Sequence, residues 1–137
     1  MSDGPSGLRP EMVWQTWIHA GMSSDSCTAF PALVCLAATW NPEMGHLFGK
    51  SLGEEALYRD KNMLLGPAVN IFRTPMNGRN FEYMGEDPYL TSKMAVSYIK
   101  GVQENHVSAC VKHFAVNNQE TKRTTINTIV DLSLIHI

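Results

Sequence analysis

Five short motifs occur in order along 137 residues: Asp3-Gly4-Pro5, Gly78-Arg79-Asn80-Phe81-Glu82, Gly85-Glu86-Asp87-Pro88, Lys112-His113-Phe114, and Asn117-Asn118-Gln119-Glu120-Thr121-Lys122-Arg123. They place charged, hydrogen-bonding side chains in loops that border apolar runs. This mixture suits a ligand rich in hydroxyl groups. A carboxylate such as Asp3 accepts from two hydroxyls, Arg79, Lys112 and Arg123 supply fixed donors, and His113 offers one donor and one acceptor. A hydrogen bond to a charged group contributes about 1.5–3 kcal/mol, so a handful suffices to orient one ring. An aromatic face usually completes such a site, and Trp40 is the candidate for it. The set reads as the floor of a sugar pocket.

Taken singly, each residue has a plain structural reading. His113 could be a partly buried histidine with its hydrogen bonds satisfied. Arg79 could brace its loop against Glu82 or Glu86, and Arg123 could pair with Glu120. Aspartate before glycine is common in turns, which would account for Asp3. The ordered set is the stronger signal, and Lys112 directly before His113 at the end of an apolar run favours a functional reading of both.

Three apolar runs, residues 32–38, 63–69 and 107–111, are nearly continuous rather than alternating. Strands buried on both faces of a parallel sheet have that pattern, and strands are expected near 33–36, 64–69 and 107–111. Between them lie two helix patterns, each opened by a capping residue and a proline: Asn41-Pro42 and Asp87-Pro88. The first, over 42–60, carries Met44, Leu47, Phe48, Leu52 and Ala56 on one stripe; Glu43, Lys50, Glu54 and Arg59 are left for water. The second, over 88–105, carries Leu90, Met94, Ala95, Tyr98, Ile99 and Val102. Strand, helix, strand, helix, strand predicts parallel pairing through crossover helices. In such a sheet ligands meet the loops at the carboxyl ends of the strands. Lys112 and His113 follow one strand there, and Arg79 lies in the long 70–87 connection after another. Asp3 lies in a turn that could follow a strand lost from the N-terminus.

Composition excludes several classes. A net charge of −2 leaves no basic stripe for nucleic acid, and no apolar stretch approaches the roughly 20 residues of a membrane span. Cys27, Cys35 and Cys110 are odd in number and form no Cys-x-x-Cys pair, so neither a disulfide framework nor a zinc site is expected. These thiols fit a reducing compartment. The N-terminus has neither the basic start nor the apolar core of a signal peptide. A cytoplasmic location is favoured, and a secreted or periplasmic parent is left open because this N-terminus could be internal to a longer gene.

The motifs closely resemble the N-terminal barrel domain of glycoside hydrolase family 3, the β-glucosidase type, over residues 2–131. The resemblance implies an α/β fold, part of a TIM (β/α)8 barrel with parallel strands and crossover helices. A complete barrel needs about 250 residues. It also implies hydrolysis of O-glycosyl bonds by a retaining, exo-acting β-glucosidase, with no cofactor and no metal. Asp3 matches the aspartate of the family's Asp-Gly-Pro motif, which holds sugar hydroxyls. Arg79, Lys112, His113 and Arg123 match other substrate-pocket positions. Glu82, Glu86 and Asp87 are better read as loop braces and a helix cap. The substrate partner is then a β-linked glucoside or related glycan.

The resemblance implies a nucleophilic aspartate, typically before tryptophan, on a later strand, and a general acid from a following domain. No Asp-Trp pair occurs in this chain. No catalytic residue is therefore assigned within it, and the missing C-terminal part of the same enzyme is the expected source of both. The competing reading is a non-catalytic sugar-binding or structural half-barrel. Ala115-Val116-Asn117-Asn118 after the Lys-His-Phe motif favours the glucosidase branch over the β-N-acetylhexosaminidases, whose motif continues Pro-Gly-His-Gly. Xylosidase or arabinosidase specificity stays open. Residues 132–137 read as a tail outside the family, similar to translated sequencing adapter, the alternative being a genuine short strand.

Overall fold

The computed structural model describes residues 1–9, 12–13, 18–19 and 26–131. Its two long helices start where local chemistry dictates. Asn41 caps α2 (Pro42–Tyr58) by accepting from the Glu43 N–H. Asp87 caps α3 (Pro88–Gln103) by accepting from the N–H groups of Tyr89 and Leu90. In both, proline occupies the first turn, where its missing N–H costs nothing.

The sheet is parallel, with β1 (Ser2–Asp3), β4 (Met63–Leu65) and β5 (Ser108–Ala109) in the order β1-β4-β5. Asp3 pairs with Leu65, and Leu64 pairs with Ala109. Asp3 thus ends a strand that is present, rather than following one that is lost. The strands are shorter than the expected 64–69 and 107–111, because Gly66-Pro67 interrupts the ladder and Pro67 has no N–H to donate. Pairing resumes beyond it: Lys112 N–H donates to the Pro67 carbonyl at 3.0 Å, and Val69 N–H to the Lys112 carbonyl at 2.7 Å. That second stretch carries Lys112 to the carboxyl end of the sheet. A separate antiparallel pair joins β2 (Met12–Val13) to β3 (Ile18–His19).

The expectation of a strand near 33–36 is wrong. Leu33–Ala37 is a helix, α1. Leu33, Leu36 and Ala37 are buried while Val34 and Cys35 are exposed, a helical spacing rather than a two-residue alternation. A short apolar run does not by itself distinguish the two periods. The first strand of the sheet is instead at residues 2–3, and α1 and α2 together form the crossover to β4.

The buried face of α2 is also turned from the expected stripe. Gly45, Phe48, Gly49, Leu52, Gly53 and Ala56 are buried, whereas Met44 and Leu47 are exposed. The glycines let α2 lie almost backbone to backbone on α3: a Cβ at Gly49 would stand 2.1 Å from the Tyr98 carbonyl oxygen, and one at Gly101 2.1 Å from the His46 carbonyl oxygen. Arg59, expected in water, is tucked against Glu55 and donates to the Ser26 carbonyl. Phe48 packs on Tyr98 with ring centroids 5.8 Å apart, and the buried Tyr98 hydroxyl donates to the Pro5 carbonyl at 2.9 Å. That bond fastens the loop after β1 to α3 and so holds the Asp-Gly-Pro turn over the sheet.

Candidate functional site

At the carboxyl ends of the three parallel strands, seven charged side chains form one continuous chain of ion pairs. Arg9 stands 3.5 Å from Asp3 Oδ2. Lys112 Nζ bridges Asp3 Oδ1 at 2.8 Å and Glu82 Oε2 at 3.1 Å. Arg79 Nε donates to the other Glu82 oxygen, and its NH1 group approaches Glu120 at 3.8 Å. Arg123 closes the series on Glu120 Oε2 at 3.1 Å. Cations and carboxylates alternate throughout.

Local structure positions each member. Asp3 is the last residue of β1, and Lys112 ends the resumed β4–β5 pairing. Arg79 precedes a single 3-10 turn, Asn80–Glu82, which turns Glu82 inward to 3% exposure. Asn80 secures that turn by donating from Nδ2 to the Thr74 carbonyl at 2.8 Å. The 70–87 connection is therefore an ordered platform, further held by a parallel bridge between Ile71 and Gly85. Glu82 is the brace expected of it, Asp87 is the helix cap, and Glu86 is exposed.

A cavity of about 540 Å³ opens over this chain of charges, lined by the 3–7 turn with Arg9, Arg79, Phe81, Glu82, Glu120 and Arg123. Its size falls in the range of small-molecule sites. Lys112 lies beneath the floor, its side chain only 12% exposed. Of the five residues singled out from sequence, Asp3, Arg79 and Arg123 line this cavity, and Lys112 joins them through its ion pairs with Asp3 and Glu82. His113 lies at the same end of the sheet but lines a neighbouring recess of about 220 Å³ with Asn70, Arg73 and Asn118. Its backbone N–H donates to Asn70 Oδ1 at 2.9 Å, and its Nδ1 is 3.1 Å from the Tyr83 hydroxyl.

Burial works against charge at Asp3, but the hydrogen bond and charge of Lys112, aided by Arg9, hold its carboxyl below the ordinary value. Asp3 is thus an ionised acceptor. Burial, then the charge of Arg79, pushes the His113 ring below its ordinary value, so the imidazole is neutral near pH 7. Burial pushes the Tyr83 hydroxyl up, which keeps its proton. Arg79 is driven further into its charged form by Glu82, against the opposing effect of burial.

Sequence reading missed three contributors. Arg9 lines the cavity and faces Asp3, with a position six residues beyond Asp3 as its only signal. Glu120, expected beside Arg123, also reaches Arg79, a link that the sequence did not show. Among the described residues, Phe81, not Trp40, supplies an aromatic side chain to the cavity; Trp40 is 72% exposed at the α1–α2 junction and lines no part of it. Among the described residues, no group of three His, Cys, Asp or Glu is placed to hold a metal ion, and no helix is long and apolar enough to cross a membrane.

Residues 10–131 match the glycosyl hydrolase family 3 N terminal domain. The chain belongs to glycoside hydrolase family 3. The family 3 chain is 64% identical over 127 residues to a β-glucosidase, BoGH3A, of Bacteroides ovatus, covering 93% of this chain and 17% of that one. It is 50% identical over 131 residues to thermostable β-glucosidase B of Acetivibrio thermocellus, covering 96% of this chain and again 17% of the relative. Among solved structures, β-glucosidase 3B of Thermotoga neapolitana in complex with glucose shares 47% identity at a TM-score of 0.77, over 87% of this chain and 16% of that one. DesR, a β-glucosidase from Streptomyces venezuelae in complex with D-glucose, superposes at 0.84 with 36% identity, over 99% of this chain and 16% of its own. The chain therefore spans about a sixth of these relatives. Its three parallel strands with crossover helices are part of an α/β barrel of the TIM type.

Proposed function

We propose that this chain is the sugar-binding floor of a retaining, exo-acting β-glucosidase that hydrolyses O-glycosyl bonds. The observation that carries the reading is the Asp3–Lys112–Glu82–Arg79 chain of ion pairs under an open cavity. Asp3, Arg79 and Arg123, which line the cavity, are assigned to the substrate together with Lys112 beneath its floor and His113 in the adjoining recess. Asp3 takes two hydroxyl protons, the cations donate to hydroxyl oxygens, and Phe81 offers an apolar surface to the ring. Relatives named as β-glucosidases, and solved complexes of such enzymes with glucose, support a β-glucoside as the ligand.

The reaction itself needs two carboxyl groups about 5–5.5 Å apart, one as nucleophile and one as acid/base. Asp3 and Glu82 are both committed to Lys112, an arrangement suited to hydroxyl binding rather than to attack or proton delivery. The nucleophile and the acid are assigned to other parts of the enzyme, since this chain spans about a sixth of its relatives. A relative at 41% identity named exo-alpha-(1->6)-L-arabinopyranosidase, from Bifidobacterium longum, widens the glycan class that the same floor serves.

The test is a graft. Residues 1–131 replace the matching segment of the Bacteroides ovatus enzyme, and release of aryl leaving group from a β-glucoside is measured. Turnover within about tenfold of the recipient, abolished by Asp3→Ala, is the expected result. A folded graft that is inactive, or an Asp3→Ala variant with unchanged kcat/KM, would overturn the reading.

A further inference from the structure

The buried Tyr83 hydroxyl makes three close polar contacts: the Asn117 carbonyl oxygen at 3.0 Å, His113 Nδ1 at 3.1 Å and Asn117 Nδ2 at 3.3 Å. A phenol has one proton to give and can accept in addition. The carbonyl oxygen has no proton, so two oxygens at 3.0 Å without a hydrogen between them would repel. Only the Tyr83 proton can fill that gap. The phenol oxygen is then left as acceptor to its other two neighbours, and His113 Nδ1 must donate. Proton positions on such rings follow from the surrounding network.

We propose that Tyr83 is a positioning residue that locks His113 in its Nδ1–H form, so that Nε2 is left as a pure hydrogen-bond acceptor for a sugar hydroxyl that reaches the recess beside the cavity. Nε2 has no hydrogen-bond partner among the described residues, and the ring borders an open recess. The depressed proton affinity of the ring supports the neutral form. Lys112, the adjacent residue, can only donate. The pair therefore reads opposite halves of a hydroxyl: Lys112 gives a proton to an oxygen, and His113 requires one. Asn117 ties this arrangement to the cavity floor, because its Nδ2 also donates to Glu120 Oε1 at 3.2 Å.

The ligand half of this inference rests on the sugar-pocket reading, and one experiment separates the two. In the graft enzyme, competitive inhibition is measured for glucose and for sugars carrying hydrogen or fluorine in place of each hydroxyl in turn. His113→Ala identifies the hydroxyl that the histidine contacts. At that position a fluorine, which cannot donate, should weaken inhibition as much as a hydrogen does, about tenfold. In Tyr83→Phe, which keeps the ring, either tautomer becomes available, and the fluoro sugar should recover relative to the deoxy sugar. Should that variant fail to fold, the unmodified panel still decides. A fluoro sugar that inhibits nearly as well as glucose would show that Nε2 carries a proton and overturn the assignment. Glucose inhibition that depends on Asp3 and Lys112 but at no position on His113 would overturn it while leaving the sugar pocket standing. Absence of any glucose inhibition would remove both.

Discussion

Lys112 reaches back across 109 residues of chain to place its ammonium nitrogen 2.8 Å from Asp3 Oδ1. The same nitrogen is 3.1 Å from Glu82, a carboxylate that is almost fully buried. One side chain therefore joins the ends of β1 and β5 to the loop after β4, and it neutralises two carboxylates that would otherwise face each other. This clamp lies directly beneath the cavity lined by Asp3, Arg79 and Glu82.

Lys112→Ala should consequently affect both binding and stability. Glu82 retains Arg79, which limits the stability loss to about 1–3 kcal/mol, the usual cost of leaving a charged hydrogen-bonding group short of a partner. Loss of substrate orientation should lower kcat/KM in the graft enzyme by about a hundredfold or more. Urea denaturation and steady-state kinetics on the same preparation separate the two effects.

Acid should act through Asp3. Burial raises its pKa, but Lys112 and Arg9 outweigh this, so the folded value lies below the ordinary 3.8. The stabilisation that such a shift supplies is fully present above the unfolded value and disappears as pH falls through the folded one. Relative to Asp3→Asn, the native sequence should lose stability progressively below about pH 4. Denaturation midpoints measured from pH 6 to pH 3 should converge for the two proteins at the acid end.

His113 has a depressed folded pKa for a different reason, burial first and the Arg79 charge second. The neutral ring is favoured in the folded state, so its contribution is complete above the ordinary 6.5 and declines as pH falls below it. His113→Gln should flatten that decline between about pH 6.5 and pH 5. Thermal midpoints across this window, in the graft enzyme, provide the check; equal slopes for both proteins would count against a partly buried neutral ring.

Gly49→Ala should push α2 away from α3. The added methyl would stand 2.1 Å from the Tyr98 carbonyl oxygen, and the atoms it meets are all Tyr98 backbone, which cannot swing aside. Overpacking of this kind costs about 1–3 kcal/mol. Gly78→Ala is the contrast, because its nearest neighbour is a Glu120 methylene at 3.8 Å. Its midpoint should stay within about 0.5 kcal/mol of the parent.

The 137-residue chain expressed alone should show no glucosidase turnover and should aggregate. Within the described sheet, β1 and β5 are open edges, and edges of that kind recruit other strands. Val34, Met44 and Leu47 also expose apolar surface on α1 and α2. Assay of an aryl β-glucoside with purified monomer, together with the soluble fraction on expression, tests both statements. Turnover above a buffer blank would show that a nucleophile and an acid are encoded here.

The sequence by itself determined whatever rests on neighbours in the chain. Asn41-Pro42 and Asp87-Pro88 announced their helices because a cap and a first-turn proline act within three residues. The motif residues Asp3, Arg79, Lys112 and Arg123 were legible as a set that could meet at one pocket, since each type suits hydroxyl binding and each borders an apolar run. Tertiary structure decided the rest. The run at 33–37 is helix, with Leu33, Leu36 and Ala37 buried in a packing of α1 against α2, α3 and the 3-10 turn, partners that its own hydrophobicity does not name. The α2–α3 contact turned on glycines that carry no hydrophobic signal, since what they contribute is the absence of a side chain at a place only the partner helix defines. Which carboxylate meets which cation was likewise invisible. Charge types are local, but the pairing of Lys112 with Asp3 and Glu82 depends on strand order and on a 3-10 turn that brings distant backbone within a few ångströms.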